Sequence, residues 1–181
     1  MRRINKIDYF VGVFLSTILS SSKGIPALFD EGVKDSKRVE FETDSGCFNV
    51  YIKYSTNQRT ANVRVNGEEK KKVSWDITFS NRDYYILKNQ FEKKDKINLV
   101  CLICTNEKLN GTHMAVLKYS DAMKCLQKKT ISGSRRITVT RTGAERSFYC
   151  YGVEFDEKDY IKCPVDYTHF LGLKEEIAEN V

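Results

Sequence analysis

Residues 38–56 read RVEFETDSGCFNVYIKYST, and this run decides the fold. Val39 and Phe41 alternate with Arg38, Glu40 and Glu42. Beyond a Ser45-Gly46 turn signal, Phe48, Val50, Ile52 and Tyr54 alternate with Asn49, Tyr51 and Lys53. Alternation at period two marks strands with one apolar face, and two such runs joined by a short polar link make a β-hairpin. With Ser45 and Gly46 as the loop, Glu42 faces Asn49, Glu40 faces Tyr51 and Arg38 faces Lys53. Glu40, Glu42 and Lys53 then share the polar face. Two carboxylates and a lysine on paired strands are the minimum set for holding a divalent cation and activating a water, so these three are the candidate catalytic residues. The same residues also suit a cross-strand ion pair on a solvated sheet surface.

Before the hairpin, Ile7, Phe10, Val11, Phe14 and Ile18 recur at helical spacing and predict an amphipathic first helix. The basic start followed by an apolar-leaning stretch from Tyr9 to Leu19 imitates a signal peptide, yet the stretch falls short of the roughly 20 residues that span a bilayer. Gly24 and Pro26 break the pattern, and a short apolar segment follows that can tuck under a sheet. After the hairpin, Asn57 to Lys72, with an Asn66-Gly67 turn signal and the charge cluster Glu68 to Lys72, reads as an exposed excursion before a third main strand, VSWDITFS, Val73 to Ser80.

Ser80 and Asn81 are N-cap candidates for a helix through Lys93, with Tyr84, Leu87 and Phe91 on its inner stripe. INLVCLIC, Ile97 to Cys104, is a near-continuous apolar run, the pattern of a strand covered on both faces. His113 to Leu117 is a further strand feeding a short helix capped by Ser120 and Asp121. Arg135 to Thr140 and Arg146 to Gly152 form a second hairpin, and a tail with Pro164 leads to a last helical piece from Thr168 to Glu179. The expectation is an α/β (α+β) fold: a mixed, twisted sheet with helices on its faces, in one domain over residues 1–181. Its core spans about 5–128, and the C-terminal hairpin and helix about 135–181.

The chain has 181 residues, enough for one hydrophobic core, and 30 Lys and Arg against 24 Asp and Glu give a net charge of +6. That excess favours phosphate-rich or acidic partners. Cys47, Cys101, Cys104, Cys125, Cys150 and Cys163 are scattered through a chain too large to need disulfide staples, so reduced thiols and a cytoplasmic location are expected. Cys101 and Cys104 form a C-x-x-C, but strand alternation sends them to opposite faces. His113 and His169 have no cysteine or histidine at ligand spacing, which argues against a zinc site.

In order, these elements are helix, three antiparallel strands, helix, strand, and over roughly Asn5 to Cys104 the chain resembles the restriction-endonuclease-like, or PD-(D/E)XK, nuclease superfamily. The phrases VYIKYST, WDITFS and, at Lys118 to Asp121, KYSD are similar to small prokaryotic proteins found beside antiviral defence genes. The superfamily places an Asp at the start of its second core strand and an acid-x-Lys on the third, where the carboxylates bind Mg²⁺ and the lysine polarises the attacking water. Lys53 matches that lysine. Tyr51 stands where the acid two residues earlier belongs, and a phenol is a poor Mg²⁺ ligand beside a carboxylate. Activity would need Glu40 or Glu42 to move into that role, with Asp44 or Asp76 as a second ligand.

Arg135, Arg136, Arg141 and Arg146 flank a hairpin whose second strand carries Tyr149 and Tyr151, with Phe148 and Cys150 facing inward. Guanidinium groups pair with phosphates and phenol rings stack on bases, so this is the candidate nucleic-acid surface. The resemblance with its missing acid implies an accessory or binding protein on a degenerate nuclease-like fold, acting with nucleic acid or a protein complex in antiviral defence. The alternatives are an active Mg²⁺-dependent nuclease with relocated ligands and a protein-interaction module or inhibitor.

Overall fold

The computed structural model describes residues 5–21, 25–29, 36–43 and 45–166. The helical piece expected at 168–179 and His169 lie outside the described residues. An opening helix α1 (Lys6–Ser21) precedes strands β1 (Ile25–Phe29), β2 (Ser36–Thr43), β3 (Gly46–Ser55), β4 (Gln58–Val65) and β5 (Glu68–Phe79). Then come α2 (Asn81–Ile86) running into a π-helical turn (Leu87–Phe91), β6 (Ile97–Cys104), β7 (His113–Lys118) and α3 (Tyr119–Cys125). Strands β8 (Arg135–Thr142), β9 (Ser147–Tyr151) and β10 (Ile161–Pro164) follow. The fold is α+β, with the strands divided between two five-stranded sheets, β1-β2-β3-β6-β7 and β10-β9-β8-β5-β4.

The first sheet is mixed because β3 and β6 run parallel, Phe48 beside Ile97 through Ser55 beside Cys104, while its other pairs are antiparallel. Both strands are buried on two sides, as the unbroken apolar run of β6 requires. On one side α1 lays Ile7, Phe10, Val11, Phe14 and Ile18 onto Val39, Phe41, Val50, Ile52, Cys101 and Ile103. These five helix residues are those picked out by the 3.6-residue spacing. Lys37 of β2 adds an ion pair to Asp8 of α1 at 3.7 Å.

On the other side Tyr51, Val100, Leu102 and Leu117 meet Trp75, Ile77, Phe79, Ile137, Val139 and Phe148 of the second sheet, with Leu87, Phe91, Ala122 and Leu126 closing the ends. The Trp75 indole donates to the Thr105 carbonyl at 2.8 Å, satisfying the one polar atom of the largest buried side chain. Cys101 and Cys104 fall into different cores, as alternation demands. All six cysteines are free thiols.

Four strand expectations change. The third strand of the expected meander does not pair with the hairpin: β5 belongs to the second sheet, between β4 and β8. Only Thr56 and Asn57 separate β3 from β4, so the chain leaves the first sheet at once. The expected excursion is itself a hairpin: Gln58–Val65 is β4 and Glu68 to Lys72 the start of β5, joined through Asn66 and Gly67, both at positive φ (53° and 83°). The Arg38–Thr56 hairpin also closes differently, with Thr43 opposite Gly46, so Arg38 faces Tyr51, Glu40 faces Asn49, Glu42 faces Cys47 and Lys53 faces Ser36. Gly46 serves as a strand residue packed near the Ile97 side chain and not as a loop residue. Finally, β1 and β10 are edge strands where the sequence suggested only an apolar segment and a tail.

Gly152, just after β9, lies so close to α3 that a Cβ there would fall 2.0 Å from the Cys125 carbonyl oxygen. Backbone cannot yield as a side-chain tip can. Gly152→Ala is therefore expected to destabilise the protein by about 1–3 kcal/mol in urea denaturation with little change in the slope.

Candidate functional site

Lys53 projects from β3 into the space between the sheets, where it is 5% exposed and its Nζ lies 2.8 Å from Oδ2 of Asp83, itself 1% exposed. Asp83 is the N3 residue of α2. Its carboxylate also accepts from the Ser80 backbone N–H and hydroxyl, both at 2.7 Å, while its own N–H donates to Ser80 Oγ at 3.1 Å, completing a capping box. The other carboxylate oxygen accepts from Ser36 Oγ at 3.0 Å and lies 2.7 Å from the Tyr51 hydroxyl, which is also 2.8 Å from Ser36 Oγ. The Lys53 ammonium sits 5.2 Å from the Phe79 ring centroid. Burial alone would push the Asp83 carboxyl up, but Lys53, Ser80 and Tyr51 outweigh it and hold the carboxyl below its ordinary value. Every polar group here is turned toward another, so the lysine expected to polarise a water instead neutralises a buried aspartate.

Glu40 faces Asn49, four positions along β2 from the residue opposite Lys53, which is about 13 Å of strand. It pairs with Arg38 and with Lys96. Arg38 Nε also donates to Asn49 Oδ1 at 2.7 Å, and Asn49 donates to the Phe91 carbonyl at 2.6 Å and Asn98 Oδ1 at 2.8 Å. Burial pushes the Glu40 carboxyl up, but Lys96 and Arg38 prevail and keep it below the usual range. Glu42 is exposed and lies opposite Cys47 near the hairpin end.

Asp76 lies in the second sheet, 2.7 Å from Arg59, 3.5 Å from Arg136 and 2.7 Å from the Thr138 hydroxyl. Glu40, Glu42, Lys53 and Asp76 are therefore not brought together. Among the described residues no three His, Cys, Asp or Glu side chains converge as a metal site. A Mg²⁺ ion placed on Glu40, Asp76 or Asp83 would meet cationic side chains already bound there, so the residues present do not fit it. A cleft of about 510 Å³ beside Ile97, Asn98, Lys118 and Tyr119 includes none of the four.

The candidate nucleic-acid residues divide between the two faces of the second sheet. Arg135 and Arg141 share the alternation phase of Ile137 and Val139, the inner face. Arg135 is buried, with its guanidinium 3.5 Å from the Tyr84 ring centroid, and Arg141 donates to the Glu145 carbonyl at 2.7 Å. Arg146 is exposed in the loop before β9. Arg136, Tyr149 and Tyr151 lie on the outer face, where Tyr151 stacks on Tyr160 with centroids 4.1 Å apart. His113 begins β7, the strand expected from His113 to Leu117, beside the Trp75 and Phe148 rings, and burial together with Arg141 pushes its pKa down.

Pairing across the second sheet aligns Lys162, Tyr149, Thr140, Ser74 and Arg59 in one row over five strands, about 19 Å from end to end. Lys70, Lys72 and Arg136 share that outer face with the acids Asp76 and Glu68. Buried donors on it, Arg136 Nε and the Thr140 hydroxyl, have no hydrogen-bond partner. Lys162 and Arg59 escaped the sequence reading because each strand lies far along the chain from β8. Asp83 escaped it too, although Ser80-x-x-Asp83 has the spacing of a capping box.

Comparisons with protein-family models, with curated proteins and with solved structures return no match.

Removing one member of the buried pair strands the other. Asp83→Ala is expected to cost about 3–5 kcal/mol in denaturant unfolding, whereas Lys53→Met combined with Asp83→Leu should recover part of the loss. The carboxyls of Asp83 and Glu40 titrate lower in the folded than in the unfolded chain, so the unfolded chain binds more protons in between and stability rises with pH there. Their contribution is complete above the ordinary values near 3.8 and 4.5 and disappears as pH falls through the lower folded values. Denaturation midpoints measured from neutral to strongly acidic pH should show this fall, and Asp83→Asn should flatten it.

Proposed function

We propose that the protein is a non-catalytic nucleic-acid-binding protein, an accessory subunit of the kind its resemblance to defence-associated nuclease-like proteins implies, and that its contact surface is the outer face of the second sheet. The observation that carries this reading is the row from Lys162 through Tyr149 and Thr140 to Arg59, flanked by Arg136 and by the Tyr151–Tyr160 stack. No described element packs on that face, since both cores lie on its other side.

A sugar–phosphate chain running across the strands would meet cations at each end and phenol and hydroxyl groups between them. Phosphates supply most of the affinity of such contacts and bases supply stacking. Lys162 and Arg59, both exposed, are the cations at the two ends of the row that phosphate oxygens would meet. The net charge of +6 works in the same direction. An enzymatic reading finds less support, because the lysine that would polarise water is 5% exposed and ion-paired.

Fluorescence anisotropy with labelled single-stranded DNA, single-stranded RNA and duplex DNA tests the reading. Affinity should fall steeply between about 50 and 200 mM salt. Lys162→Ala and Arg136→Ala should each weaken binding and lower the salt slope by about 1, while Tyr149→Ala should weaken binding without changing the slope. Arg135→Ala should lower stability and leave affinity alone. Failure of all three probes to bind at low salt overturns the proposal.

A further inference from the structure

Each of the two sheets ends in two edge strands, and three of these four edges are blunted. Strand β1 has five residues and contains Pro26; β10 has four and contains Pro164. Strand β7 is approached by β10, with the Cys163 thiol donating to the Val116 carbonyl at 3.2 Å. Short length, proline and a covering neighbour are the usual guards against pairing with another chain. Strand β4, QRTANVRV, has eight residues, no proline and a continuous one-to-one register with β5. Arg59, Thr60, Ala61, Asn62 and Arg64 are exposed, and no described strand pairs with its far edge.

The turn fixes which backbone groups that edge offers. Asn66 and Gly67 form a two-residue loop with both φ values positive, so Val65 and Glu68 are a hydrogen-bonded pair, and such pairs alternate with non-bonded ones along the hairpin. Val65, Val63, Ala61 and Arg59 therefore spend their N–H and C=O groups on β5. Gln58, Thr60, Asn62 and Arg64 turn theirs outward.

We propose that this edge pairs with the same strand of a second copy, antiparallel about a two-fold axis at Ala61, joining two five-stranded sheets into one of ten strands. In that register Thr60 faces Asn62 and Gln58 faces Arg64 of the second copy, each a pair whose outward groups exchange two N–H···O=C bonds. Arg59 faces Val63, and Ala61 faces its own copy. No like charges are directly opposed. Each arginine also has a carboxylate on its own chain, Arg59 bound to Asp76 at 2.7 Å and Arg64 opposite Glu69, so the edge carries little charge to repel its mate. A closed two-fold contact of this kind uses the same surface twice and consumes both free edges. The inference rests on edge geometry alone and holds whether or not the outer face binds nucleic acid.

Sedimentation velocity on the intact chain over a range of concentrations should give twice the 20.9 kDa chain mass at the upper end. Asn62→Pro removes an outward N–H while leaving the β5 ladder intact, and should shift the protein to monomer while keeping the unfolding midpoint that wild type shows when diluted to monomer. Ala61→Cys places two thiols at a non-bonded pair about 4.5 Å apart between Cα atoms, so mild oxidation by oxidised glutathione should trap a covalent dimer that wild type does not form. Should Asn62→Pro prove unstable, the cysteine variant decides alone. A wild-type chain that stays monomeric throughout, an Asn62→Pro variant that dimerises undiminished, or an Ala61→Cys variant that fails to cross-link each overturns the proposal.

Discussion

The Asp83 carboxylate is buried between the two sheets and is bonded to groups from β2, β3 and the turn that starts α2. A buried charge left unpaired is costly, and this one is stabilised only when Lys53, Tyr51, Ser36 and Ser80 converge on it. The constraint is directional as well as electrostatic. Hydrophobic contact between the sheets would tolerate sliding, but five short hydrogen bonds to one carboxylate set how β2 and β3 stand relative to the start of α2. The capping box at Ser80 and Asp83 then sets where the helix begins, and its π-helical turn delivers Leu87 and Phe91 into the core.

This arrangement explains why residues that look catalytic along the chain are structural in space. Lys53 and Tyr51 face the same interior because they are two positions apart on one strand, and their partner comes from a helix thirty residues later. Glu40 is drawn into a second polar network around Asn49, where Arg38, Asn98 and the Phe91 carbonyl complete the bonding. Asp76 plays a similar part on the outer surface between two arginines. In each case the carboxylate is already compensated by cations, which makes it a poor seat for another. The exposed cations left for a ligand, Lys162 and Arg59, lie on the outer face of the second sheet.

Legibility followed range. The first helix was readable residue by residue because its apolar stripe is local and complete. The buried character of β6 was readable from its unbroken run, and the faces of the β8–β9 hairpin from alternation, which sent Phe148 and Cys150 inward. Hairpin register was not, since Gly46 fits a turn by propensity and a strand by its contact with Ile97, a residue of another strand. The assignment of β5 to a second sheet was equally hidden, because its pattern is that of any strand with one buried face.

By itself the sequence determined the α+β class, the amphipathic first helix, the opposite orientation of Cys101 and Cys104, and the alternating faces of most strands. These depend on periodicity, which is written locally. The tertiary structure alone decided that the strands form two sheets, that Lys53 is spent on Asp83, that Arg135 and Arg136 serve different faces, and that Arg59 and Lys162 end the same row. Such outcomes depend on which strands become neighbours, and neighbours are chosen by how buried apolar area and buried polar bonds are satisfied together over the whole chain.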